Sequence, residues 1–73
     1  MQQYTDSDNN SNVEAYEYGD DYILVEFKSG LRYKYTYNSA GSSDIEEMKR
    51  LADVGDGLNS FISLNKPNYE EKY

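Results

Sequence analysis

The 73-residue chain has no cysteine, no histidine and no tryptophan, and a single proline. Without cysteine there can be no disulfide. Without thiolate or imidazole donors a zinc or copper site lacks its usual ligands. The same absences remove the commonest general base and the thiol nucleophile. No segment approaches the ~20 apolar residues that a membrane-spanning helix needs. Basic residues are missing from positions 1–21, which instead hold Asp6, Asp8, Glu14, Glu17, Asp20 and Asp21. Met1 to Asn12 has neither the basic start nor the apolar run of a secretory leader. The expectation is therefore a cytoplasmic protein without a membrane partner.

Acids are plentiful: 14 Asp and Glu against 7 Lys and Arg give a net charge of −7. Such a field repels phosphate backbones and anionic lipid, and it suits a basic protein surface. It also keeps a small protein dispersed. The length allows one domain and one core. A domain of this size hides only about 60% of its chain surface, so a homo-oligomer is one route to further burial.

Carboxylates alone do not make a catalytic site here. Asp20-Asp21 and Glu46-Glu47 are neighbours on a turn and on a helix surface, where solvated charge is the ordinary role. Asp53-Val-Gly-Asp-Gly57 has a superficial likeness to a calcium loop but lacks the alternating ligands and the bidentate Glu at position twelve. The reading is a non-catalytic chain with no metal and no cofactor.

The pattern along the chain predicts an α+β domain: a three-stranded antiparallel meander followed by two short helices packed on one face. Residues 1–12 are too polar to bury a core and read as a disordered N-terminal arm. The domain spans 13–65, and 66–73 reads as a flexible C-terminal tail, with Pro67 stopping whatever precedes it. Tyr22 to Lys28 is rich in β-branched and aromatic residues, and Arg32 to Tyr37 alternates aromatic with polar residues. Ser29-Gly30 supplies the turn between them. Pairing like with like sets Phe27 against Tyr33, Val25 against Tyr35, Ile23 against Tyr37 and Glu26 against Lys34, with a three-residue bulged loop. Val13 to Tyr18 forms the third strand, with either Tyr16 and Tyr18 or Val13 and Ala15 facing inward.

The helical signal begins with a capping box, Ser43-Asp-Ile-Glu46. Ile45, Met48, Leu51 and Ala52 make one apolar stripe. Glu46 with Arg50 and Lys49 with Asp53 are spaced for i,i+4 pairs. Gly55 and Gly57 end this helix, and Leu58, Phe61 and Ile62 open a second. Asn38 to Ser42 reads as a flexible crossover.

Nine tyrosines are the most informative feature. Tyrosine is stiff, amphipathic and enriched at interfaces. Tyr33 and Tyr35 fit the core face of the sheet. Tyr37, at the strand end, is expected to be exposed, and Tyr16, Tyr18 and Tyr22 gather at the other hairpin end. The opposite sheet face carries Lys28, Arg32 and Lys34. With nearby tyrosine they could hold an anion or stack a base, or they could form a solvated face paired with Glu26.

The sequence Phe27-x-x-Gly30-x-x-Tyr33-x-Tyr35, then a helix ending in Ala52, then Gly57-x-Asn59-x-x-Ile62, resembles the KTSC domain family over residues 11 to 65. That family is named for a domain at the C-terminus of some lysyl-tRNA synthetases and also occurs as free-standing small bacterial and phage proteins. Its hallmark Tyr-x-Tyr matches Tyr33-Lys34-Tyr35. The chain departs from the family in entering its first helix by a Ser/Gly linker rather than a Val-Pro, and in Val54 to Asp56. The resemblance implies no established biochemical function, RNA binding being suggested only by the synthetase neighbour. It adds Asn59 to Tyr16, Tyr18, Arg32, Lys34 and Tyr37 as candidate binding residues.

These observations lead to a small accessory or inhibitory module that docks on a larger protein with a basic surface. The alternatives are a nucleotide- or RNA-binding domain using Arg32, Lys34 and tyrosine, and a structural homo-oligomer.

Overall fold

The computed structural model describes residues 1–5 and 12–72. Five antiparallel strands lie side by side in chain order: β1 (Gln2–Gln3), β2 (Val13–Tyr18), β3 (Tyr22–Phe27), β4 (Arg32–Thr36) and β5 (Glu71–Lys72). Between β4 and β5 the chain forms three helices, α1 (Tyr37–Ala40), α2 (Ser42–Val54) and α3 (Leu58–Asn65). The α+β class stands, but the expected three strands are five and the two helices are three.

Both additional strands come from the ends that sequence composition assigns to loose arms. Gln2 and Gln3 pair with Tyr16 and Ala15, and Tyr4 is buried in the core. The Tyr4 hydroxyl accepts from the Leu58 backbone N–H at 3.2 Å, joining the first residues to the start of α3. The middle of the expected N-terminal arm, 6–11, lies outside the described residues, as does the last residue of the tail. At the other end, β5 pairs with Tyr33 and Lys34 of β4, and Glu70 N–H donates to Lys34 O at 2.7 Å.

The hairpin β3–β4 has its three-residue loop, one position earlier than expected, which moves the pairing register by two. Phe27 N–H donates to Leu31 O at 2.8 Å, and Gly30 N–H donates to Phe27 O at 2.8 Å. Gly30 takes φ +97°, a conformation that costs a residue without Cβ little. Val25 therefore faces Tyr33, Ile23 faces Tyr35, and Glu26 faces Arg32 rather than Lys34. A shift of two keeps every side chain on its face. It also gives Glu26 a bond from Arg32 Nε at 2.9 Å.

A bulge in β2 resolves the open question of its inward face. Val13 opposes Phe27 and Ala15 opposes Glu26, so Glu14 is the extra residue. One extra residue reverses the alternation. Val13 before the bulge and Tyr16 and Tyr18 after it consequently share the helix-covered side.

The crossover expected to be flexible is α1, one turn capped at Thr36. Ser39 N–H donates to Thr36 Oγ1 and Thr36 N–H donates to Ser39 Oγ, each at 3.0 Å. This reciprocal box sits seven residues before the expected one at Ser43 to Glu46, which does not form. α2 starts from Gly41 without a side-chain cap, and Glu46 turns to other partners. The stripe along α2 is as predicted, with Ile45, Met48 and Ala52 buried and Leu51 packed at the margin. Gly55 ends α2 at φ +81°, where a Cβ would come within 2.7 Å of the Thr5 side chain. The helix ion pairs are i,i+3, Glu46–Lys49 and Glu47–Arg50, rather than i,i+4.

One cluster forms the core: Tyr4, Val13, Tyr16, Ile23, Val25 and Tyr35 from the sheet side, and Ile45, Met48, Ala52 and Leu58 from the helices. Each fully buried Ile, Leu or Val contributes about 1.5–3 kcal/mol relative to exposure. No helix among the described residues is long and apolar enough to cross a membrane.

Candidate functional site

The six candidate residues do not converge. Tyr16, Tyr18 and Tyr37 meet at one end of the molecule. Arg32 and Lys34 lie on the uncovered sheet face, and Asn59 lies on α3.

The tyrosine end is built from the turn after β2, the start of α1 and the outer side of α2. Tyr18 and Tyr37 are 41% and 39% exposed, whereas Tyr16 is buried. The rings of Tyr16 and Tyr18 stack with centroids 6.2 Å apart. Both hydroxyls donate to Asp53, Tyr16 to Oδ1 at 3.0 Å and Tyr18 to Oδ2 at 2.7 Å. Burial first, and then the Asp53 carboxylate, push the Tyr16 phenol up to about 12. For Tyr18 the hydrogen bond to Asp53 is the main cause of an upward shift.

A second unit stands beside the first. Tyr37 donates to Glu46 Oε2 at 2.6 Å, which raises the phenol and holds the Glu46 carboxyl below its usual range. Lys49 Nζ donates to the same Glu46 oxygen at 2.9 Å and to the Asp20 backbone oxygen at 2.8 Å. The ammonium lies over the rings of Tyr18 and Tyr37, 5.3 and 5.7 Å from their centroids. An open groove of about 650 Å³ runs past Tyr18, Asp20, Tyr37, Glu46, Lys49 and Asp53. A further one of about 470 Å³ is lined by Gln2, Tyr16, Glu17, Tyr18 and Asp53. Asp53 and Tyr18 border both.

The uncovered sheet face does not gather its bases into an anion site. Arg32 is held by Glu26, and Lys34 lies 5.0 Å over the ring of Tyr22. A groove of about 400 Å³ reaches Lys34, Tyr22 and Tyr37, but Asp21 and Glu70 also line it. Those carboxylates oppose a phosphate. Asn59 is half-buried and lines none of these three grooves.

Asp53, Glu46, Lys49 and Asp20 are the site residues that sequence reasoning does not single out. For Asp53, Glu46 and Lys49 the signal is the charge on the outer side of the α2 stripe. Spacing along the helix pairs those charges with one another, whereas their partners come across from β2, its following turn and α1. Among the described residues there is no group of three or more His, Cys, Asp or Glu that could hold a metal ion. No family model, curated protein or solved structure matches this chain.

Proposed function

We propose that the chain is a small non-catalytic binding module that docks through its tyrosine- and acid-bearing end on a larger protein with a basic surface. The observation that carries this reading is the pair of exposed rings, Tyr18 and Tyr37, set among Asp20, Glu46 and Asp53 along one open groove. Exposed stiff aromatics supply contact area at low entropic cost, and the surrounding carboxylates supply charge complementarity. The distribution of bases adds support. Arg32, Lys34, Lys49, Arg50 and Lys72 each rest on an acid or a tyrosine ring of the chain itself. The net charge of −7 is therefore presented with five of the seven bases already engaged.

Native mass spectrometry of the untagged protein from its source cells tests the proposal. A heterocomplex with a larger protein is expected, weakening steeply as salt is added. Asp20→Lys with Asp21→Lys, both on an exposed turn, should abolish it while the circular dichroism spectrum is retained. A bare chain, or extra mass of a few hundred daltons, would overturn the docking reading.

A further inference from the structure

Two tyrosine–carboxylate units stand side by side at this end of the molecule, and they differ in their phenols and in their cation. In the first, Glu46 takes a phenol O–H from Tyr37 and a cation, Lys49, completes it at 2.9 Å. In the second, Asp53 takes phenol O–H bonds from Tyr16 and Tyr18, one on each oxygen. Asp53 is exposed and, among the described residues, has no cationic partner. A carboxylate offers about four acceptor positions, so roughly two remain after the phenols are served. Each oxygen thus keeps acceptor capacity, as the paired N–H groups of a guanidinium require. Grooves of about 650 and 470 Å³ flank the carboxylate and leave it approachable.

We infer that Asp53 is an arginine-binding subsite, its carboxylate oriented by Tyr16 and Tyr18 to receive a forked contact from an arginine side chain of the partner. The inference rests on the docking reading above and narrows it to one side chain. The stacked phenols fix both carboxylate oxygens before the partner arrives, so little rotamer freedom is lost on binding. Lys49 already covers the Tyr18 ring, which leaves the carboxylate itself as the open position.

The test uses the full chain and a hexa-arginine peptide, with hexa-lysine as the point-charge comparison, at low salt. Binding is followed by calorimetry and by the ring resonances of assigned tyrosines. Hexa-arginine is expected to bind more tightly than hexa-lysine and to move the Tyr16 and Tyr18 signals. Asp53→Asn should weaken it about tenfold, the effect of one charge-assisted contact. Asp56→Asn, an equal loss of charge on an exposed turn, should change it less than about twofold. Equal losses in the two variants, or equal binding of the two peptides, would remove the arginine subsite and leave the acidic docking face standing. No binding of either peptide to the native chain would remove both. The peptide comparison and the tyrosine signals are read on the native chain, so they decide the matter even where Asp53→Asn fails to fold.

Discussion

The phenol of Tyr35 lies in the core, 2% exposed, beneath the helices and beside the rings of Tyr33 and Tyr69. Burial is the main reason that its ionisation is pushed up to about 12. An unfolded tyrosine ionises near 10. The folded state thus holds its proton longer than the unfolded state, and the resulting stability is complete below pH 10. It is lost as pH rises from about 10 through about 12. A shift of this size corresponds to on the order of 2–3 kcal/mol for Tyr35. Tyr16 moves in the same direction. The melting temperature should stay level from neutral pH to about 9 and fall beyond 10, with Tyr35→Phe showing a shallower fall. An identical alkaline profile in that variant would show that Tyr35 does not report the transition. Sequence pattern alone identifies Tyr35 as inward-facing and Tyr37 as exposed, because strand alternation and strand ends carry that information. It cannot identify Tyr4, a lone aromatic in a polar stretch whose hydrogen-bond partner, Leu58, is 54 positions away.

Thr36 is the point where three elements meet. Its hydroxyl oxygen caps α1 by accepting from Ser39 N–H, and its O–H donates to Glu70 Oε1 at 3.0 Å, just before β5. Ser39 extends the junction by donating to the Asn68 backbone oxygen at 2.8 Å. Replacing a capping threonine by alanine costs about 0.5–2 kcal/mol. Thr36→Ala should fall at the upper end, because the Glu70 bond is lost as well, and Thr36→Ser should retain most of the stability. The urea midpoint at unchanged slope is the measure; a Thr36→Ala midpoint equal to the native one would show that α1 and β5 hold without this junction. The junction also explains which elements are legible in the sequence. β3, β4 and the apolar face of α2 repeat over several residues, so periodicity reveals them. β1 and β5 are two residues each, too short for any period, and exist because long-range contacts hold them against the sheet. Capping signals mislead for a related reason. Ser43-x-x-Glu46 has the right spacing, but Tyr37 and Lys49 take the Glu46 carboxylate instead. Such competition among distant groups has no local signature. The same limit hides Asp53, since its partners Tyr16 and Tyr18 lie 37 and 35 positions away.

At the scale of the whole molecule, a chain of net charge −7 folds into a body with a Cα radius of gyration of 10.7 Å. Mutual repulsion among the excess negative charges opposes folding, and salt relieves it over a Debye length of about 10 Å at 0.1 M. Salt also weakens the attractions of Glu26–Arg32, Glu46–Lys49 and Glu47–Arg50, but surface pairs of this kind contribute about 0–1 kcal/mol each. With twice as many acids as bases, repulsive terms outnumber attractive ones, so relief should win. A net gain of about 1 kcal/mol would raise the melting temperature by roughly 4–8 °C for a domain of this length. Raising sodium chloride from about 10 mM to about 0.5 M should therefore stabilise the fold. The same change should weaken docking on a basic partner, because there the charges attract. Opposite responses to one variable separate the two processes: a complex lost at high salt is then lost from a protein that has become more stable. A melting temperature that falls with salt would reverse the argument, showing that the ion pairs outweigh the net charge and that salt-sensitive binding could reflect loosening of the fold.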